Sequence, residues 1–122
     1  MGCPVTQWQI LATDPERAAA FYSQLFGWTV NSDNPLGYRT VNTGSANGMH
    51  GGIWPSPPEG HNLVQLFIEV DSVAGYAERV EHLGGRTIIP PQTLPDGAVM
   101  AIMHDPLGIP FGLVSQARKD PR

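Results

Sequence analysis

Two stretches of mainly apolar residues are each followed by a segment with the signals of a helix. Residues 5–12 and 62–70 are rich in β-branched, aromatic and long apolar side chains, which is typical of strands. After the first stretch, Asp14 is a favourable N-cap, and Gly27 can take the left-handed conformation that ends a helix. After the second, residues 73–83 carry apolar side chains every three to four positions, which predicts a helix with one buried face.

The same order of signals occurs twice along the chain. A shift of 58 residues, the distance from Asp14 to Ser72, also places Gln65 on Gln7 and Gly85 on Gly27. Three further strands are predicted in each half, and together they cover residues 28–31, 38–42, 49–54, 86–89, 98–104 and 110–115. The pattern is therefore βαβββ, written twice.

This pattern predicts an α+β fold in which two tandem βαβββ modules form one curved mixed sheet, with the helices on its convex side. We expect a single domain, 1–122, with halves at about 1–55 and 61–116. A Pro-rich bridge, 55–61, joins the halves, and a polar tail, 117–122, follows them. The concave side of such a sheet is a cup, where a small-molecule ligand is expected to bind.

Composition narrows the class of function. The formal net charge is −4 and the basic residues are scattered, which disfavours nucleic-acid binding. There is no run of about eighteen apolar residues and no charged-then-apolar leader, so neither membrane insertion nor secretion is indicated. The single cysteine, Cys3, excludes an internal disulfide and fits a reducing compartment. We expect a cytoplasmic protein.

Several short motifs flank the two predicted helices and precede the last strand. They are Asp14-Pro15-Glu16-Arg17-Ala18, Phe21-Tyr22, Leu25-Phe26-Gly27-Trp28, Glu69-Val70-Asp71, Leu83-Gly84-Gly85 and Asp105-Pro106-Leu107-Gly108. With these motifs, the chain resembles the vicinal-oxygen-chelate superfamily, which includes glyoxalase I, the bleomycin-resistance and fosfomycin-resistance proteins and the extradiol dioxygenases. The resemblance spans essentially the whole chain and implies the fold more strongly than the function.

In metal-using members of that superfamily, the ligands come from the first and last strands of each half. The resemblance puts the first-strand positions at Gln7 and Gln65 and the last-strand position of the second half at Gly112. The repeat puts its counterpart in the first half at Trp54. Divalent metals in such sites are held by imidazole and carboxylate groups. Two amides, a glycine and an indole include neither, so we expect no metal cofactor.

Three hypotheses of function follow, and no catalytic residue is assigned in any of them. The first is a metal-free, small-molecule-binding protein whose cup is lined by Gln7, Gln9, Trp54, Gln65 and Phe67. The second is a glyoxalase-like lyase or isomerase, or a dioxygenase, with Zn, Ni, Fe or Mn held by Gln7, His50 and Gln65. The third is a regulatory or partner-binding module that has kept only the fold. The resemblance implies a homodimer in each case.

Overall fold

The computed structural model describes residues 2–32, 39–56 and 60–116. These residues form eight strands and two helices: β1 Val5–Ala12, α1 Pro15–Phe26, β2 Thr29–Asn31, β3 Arg39–Asn42, β4 Gly51–Pro55, β5 Leu63–Glu69, α2 Val73–His82, β6 Arg86–Thr93, β7 Val99–His104 and β8 Pro110–Ser115. The predicted α+β class and the order βαβββ, twice, are confirmed. The predicted tail, part of the bridge and the first residue of the third predicted strand lie outside the described residues.

The chain divides into two compact units, and the division falls within β5. The first unit comprises Thr6–Leu66, and the second comprises Met1–Val5 together with Phe67–Arg122. The strand order is β2-β3-β4-β1 in the first unit and β5-β8-β7-β6 in the second. Strand β1 runs parallel to β4 and β5 runs parallel to β8, whereas the other pairs within the units are antiparallel, so the strand pairing in each unit is mixed.

Both helices begin at the predicted N-caps. The backbone N–H of Arg17 donates to Asp14 Oδ1 at 3.1 Å, and that of Gly75 donates to Ser72 Oγ at 3.1 Å. Gly27 follows α1 in the left-handed conformation, with φ of 74°. After α2 the left-handed residue is Gly84, with φ of 99°, one position before the glycine that the repeat aligned with Gly27.

Each helix packs against one face of its own unit's sheet. In the first unit, Ala12, Val41 and Ile53 are buried, and Trp8, Ile10 and two alanines of α1 pack against them. In the second unit, Val70, Val73, Ala77, Ala101, Met103 and Leu113 form the buried cluster beneath α2. Since side chains alternate between the two faces of a strand, these packed positions fix the direction of the remaining ones.

Strand β6 is the largest departure from the predicted element bounds. It extends to Thr93, beyond the predicted end at residue 89, and includes Pro90 and Pro91. Proline is tolerated because β6 is the outer strand of its sheet, and its pairing with β7 has register shifts between Thr87 and Gln92.

Candidate functional site

One face of the first unit carries most of the residues that the sequence predicts for the ligand site. On β1, Trp8, Ile10 and Ala12 belong to the cluster packed against α1. Gln7 and Gln9 alternate with them and therefore project from the opposite side of the sheet. We call this side, which is turned away from α1, the open face.

A row of uncharged residues crosses the open face from strand to strand. Gln9 pairs with Gly52, Gly52 pairs with Thr40, and Thr40 pairs with Asn31. The Thr40 hydroxyl donates to the carbonyl oxygen of Asn31 at 3.2 Å. Trp54 lies two residues beyond Gly52 and thus on the same face, where it is half-buried.

Gln65 points in the same direction as these residues. Its neighbour Val64 lines, with Phe21 and Tyr22 of α1, a groove of about 610 Å³ beside the helix. Val64 is 62% exposed and Gln65 only 5%, so the glutamine projects to the other side of the strand. Gln9 is also 5% exposed, and Gln7 is half-buried. The first unit therefore brings Gln7, Gln9, Trp54 and Gln65 to one face, two of them as buried carboxamides.

The fifth predicted residue, Phe67, lies in the second unit and packs over a glycine. Phe67 is 1% exposed and forms a cluster with Ile102 and Val114. It pairs with Gly112, and a Cβ atom added to Gly112 would overlap the Phe67 ring. The aromatic side chain thus fills the space into which a side chain at residue 112 would extend.

Strand pairing corrects the last-strand position of the first half, which the repeat assigned to Trp54. Gln9 and Phe67 each lie five residues before their N-cap, Asp14 and Ser72. Their partners in the last strands are Gly52 and Gly112. The counterpart of Gly112 is therefore Gly52, and the alignment with Trp54 is wrong by two residues because the connecting loops differ in length. Aligning Gly52 of β4 with Gly112 of β8 in the sequence would have identified this equivalence.

One ring nitrogen of the histidine in the predicted metal alternative has a hydrogen-bond partner within the first unit. His50 is exposed, and its Nδ1 accepts the backbone N–H of Thr43 at 3.1 Å. Among the described residues, no three or more His, Cys, Asp or Glu side chains are arranged to hold an ion. Gln7 and Gln65 are neutral, and glycine occupies both last-strand positions. This donor set lacks the carboxylate that such sites require and does not fit a divalent metal.

A perturbed pKa occurs at Tyr76 on α2. The Cys3 sulfur lies 3.4 Å from the Tyr76 hydroxyl oxygen, and the hydrogen bond and the charge interaction with this sulfur raise the pKa of Tyr76 above its usual value. The guanidinium of Arg79, 5.0 Å from the ring centre, acts in the opposite direction. Tyr76 packs against the α2 cluster of the second unit.

A comparison of the sequence with protein families identifies the family of this chain. The model of the glyoxalase-like domain family matches residues 7–114. The chain belongs to this family. Among curated relatives of this glyoxalase-like domain, the "Putative glyoxylase CFP32" of Mycobacterium tuberculosis is 32% identical over 109 residues, as is the protein of that name from Mycobacterium bovis. The match covers 83% of this chain, which spans about two fifths (41%) of the relatives' length.

Solved structures share the fold of this glyoxalase-like domain. The hypothetical protein BH1468 of Bacillus halodurans superposes with a TM-score of 0.68 at 15% identity, with 100% of both chains covered. Methylmalonyl-CoA epimerase of Mycobacterium tuberculosis superposes with a TM-score of 0.63 at 18% identity, covering 94% of this chain and 89% of that one. None of the described helices is long and apolar enough to cross a membrane.

Proposed function

We propose that this glyoxalase-like domain binds a small molecule on its open face and does so without a divalent metal at the superfamily's ligand positions. The observation that carries the proposal is the glycine at each last-strand position, Gly52 and Gly112. Divalent metals in sites of this kind take imidazole or carboxylate ligands. Neither glycine can supply one.

The Phe67 ring supports the same conclusion from packing. A carboxylate at position 112 would need the volume that the ring occupies. The ring is fully enclosed by its own cluster, so it has no free space into which it can rotate. The second unit is thus built around an apolar contact where the superfamily's metal-using members have a ligand.

The open face supplies what a small polar ligand requires. The carboxamides of Gln7, Gln9 and Gln65 each offer one acceptor and two N–H donors. Trp54 adds an aromatic surface at the side of this set. Such sites are typical of small-molecule binding. The carboxamides fix the orientation of the ligand through hydrogen bonds, and the aromatic ring contributes apolar contact with the rest of the ligand.

The decisive experiment is metal analysis of the protein purified without chelator. We expect less than one tenth of an equivalent of Zn, Ni, Fe or Mn by plasma mass spectrometry, on the order of background. We also expect the same thermal midpoint with and without EDTA, because no ion contributes to folding. A stoichiometric metal, or a loss of stability in EDTA, would instead support a metal-dependent lyase, isomerase or dioxygenase.

The homodimer remains a prediction, and we propose that the second copy of the chain packs on α1. None of the described residues of α1 is buried, whereas α2 buries Val73 and Ala77. The apolar residues exposed on α1 and the neighbouring strand are Phe21, Leu25, Phe26 and Val64. They expose on the order of 400 Å² of apolar surface. A standard-size interface buries roughly 800 Å² per partner, about half of it apolar, so this area suits a dimer.

Replacing Phe21 with Asp tests the dimer. In sedimentation velocity, we expect the wild-type protein to have twice the chain mass and Phe21→Asp to have the mass of one chain, because a carboxylate is costly to bury in an apolar contact. Ala20→Asp, on another side of the same helix, is the matched control and should remain dimeric. A monomeric wild type, or a dimeric Phe21→Asp, would contradict the prediction.

A further inference from the structure

We infer that the ligand of the open face is an uncharged molecule with an amide-like edge, such as a carboxamide, lactam or imide, attached to a planar ring. This inference rests on the proposed function and adds the chemical class of the ligand. It follows from where the first unit places its charges and from what its buried carboxamides can recognise.

The charged side chains that the structure describes in the first unit lie on the side of α1. Arg39 pairs with Ile53, which belongs to the cluster beneath the helix, and its guanidinium lies 3.8 Å from Glu16 of α1. Asp14 caps the N-terminus of α1, and Arg17 lies in the first turn. The described strand residues of this unit therefore carry their charge on the helix side of the sheet.

The opposite side carries no charged side chain at its described strand positions. Its described strand positions are Gln7, Gln9, Leu11, Thr29, Asn31, Thr40, Asn42, Gly52, Trp54, Leu63 and Gln65. Some of these groups are already engaged within the unit. The Asn42 side-chain oxygen accepts the N–H of Gly44 at 2.7 Å, and the Thr40 hydroxyl is bonded to Asn31. The deeply buried Gln65 and the half-buried Gln7 are the groups best placed to meet a ligand.

A carboxamide recognises another amide more completely than it recognises an ion. It presents a donor and an acceptor side by side, and an amide edge in the ligand satisfies both of them. A ligand carboxylate has only acceptors, so it would leave the carbonyl oxygen of the glutamine without a partner in a buried position. The carboxylate would also have to shed its water, and none of the described strand residues of this face is a cation that could compensate.

Trp54 defines the other half of the ligand. The indole lies at the edge of the open face next to Pro55, the last residue of β4. A flat ring can stack on an indole over a large contact area, whereas an aliphatic chain covers it less well. A small ring bearing one amide group is therefore the simplest molecule that uses both the carboxamides and the tryptophan.

Two matched pairs of probes test this inference. Nicotinamide and nicotinate differ only in an amide or carboxylate on the same ring, and benzamide and benzoate differ in the same way. We expect each amide to bind about tenfold more tightly or better than its carboxylate, measured as chemical-shift perturbation in NMR titrations. The amide dissociation constants should be the same at low and high salt, because no ion pair forms.

Variants at Gln65 locate the site. Gln65→Leu should weaken amide binding about tenfold, because the donor and acceptor are lost. Gln65→Glu should abolish the preference for the amide through the loss of its N–H donors. Gln92→Leu, an exposed strand glutamine in the second unit, is the matched control and should bind like the wild type. If either variant fails to fold, the comparison of amide with carboxylate in the wild-type protein still decides the question.

The probe titrations and the metal analysis together distinguish failure of this inference from failure of the proposed function. Tighter binding of the carboxylates, strong salt dependence, or no binding of any of the four probes at millimolar concentration would overturn the inference. Carboxylate preference in a metal-free protein would leave the proposed function intact. Stoichiometric metal would overturn the proposed function itself, whichever probe binds.

Discussion

Gly112→Ala is expected to destabilise the protein by about 3 kcal/mol, because the added Cβ would overlap the ring of Phe67. The ring is fully buried between Ile102 and Val114, and neither the strand nor the ring can shift without opening that cluster. Urea unfolding followed by circular dichroism measures the change. Gly48→Ala is the matched control, since its Cβ would make only an ordinary contact 3.6 Å from Thr43.

Shortening Phe67, the residue opposite Gly112, provides a second and sharper test. In a Phe67→Leu background, the smaller side chain leaves room for the new methyl group, so Gly112→Ala should then cost less than ~1 kcal/mol. The two substitutions are therefore expected to be strongly coupled in a double-mutant cycle. A Gly112→Ala protein as stable as the wild type, or equal costs in the two backgrounds, would disprove the role given to the ring.

Gly51→Ala is expected to have a larger effect, on the order of 4 kcal/mol or more, and to disrupt folding of the first unit. Its Cβ would overlap both the carbonyl oxygen and the indole of Trp8, with which Gly51 pairs. The indole could move, but the carbonyl oxygen belongs to the backbone of β1. Loss of the native tryptophan fluorescence, with a lower thermal midpoint, would report the damage.

This overlap with the backbone predicts a contrast with Gly112. Trp8→Ala removes the indole and leaves the carbonyl oxygen in place, so it should not rescue Gly51→Ala. In the second unit the three atoms nearest the Cβ added by Gly112→Ala all belong to the Phe67 ring, so shortening Phe67 should rescue this substitution. Rescue at both glycines, or at neither, would contradict this account of the two strand pairs.

The fold could be predicted well because its signals are local. The Asp14 and Ser72 caps and the left-handed Gly27 depend on residues a few positions apart, and all three behave as the sequence indicates. The bounds of β1 and β8 also agree with the predicted strands. Strand β6 runs further than predicted because it is an outer strand, where prolines are tolerated. Whether a strand is an outer one depends on pairing with residues distant in the sequence, so the local pattern did not indicate it.

The candidate site could be predicted only in part. Alternation along β1 was enough to assign Gln7 and Gln9 to the side opposite Trp8, because the two-residue period is a property of any strand. The pairing of Gln9 with Gly52 was missed, since it depends on how many residues the intervening loops take up. That Phe67 fills the space above Gly112 needs the third dimension and has no signature in the sequence.

The ring above Gly112 also constrains how such a domain could evolve. A single substitution that brought a carboxylate to position 112 would meet the ring and destabilise the protein. The aromatic residue would have to shrink first, at a cost in stability and with no catalytic benefit. A metal-dependent descendant of this chain is therefore separated from it by at least two ordered steps, the first of them deleterious.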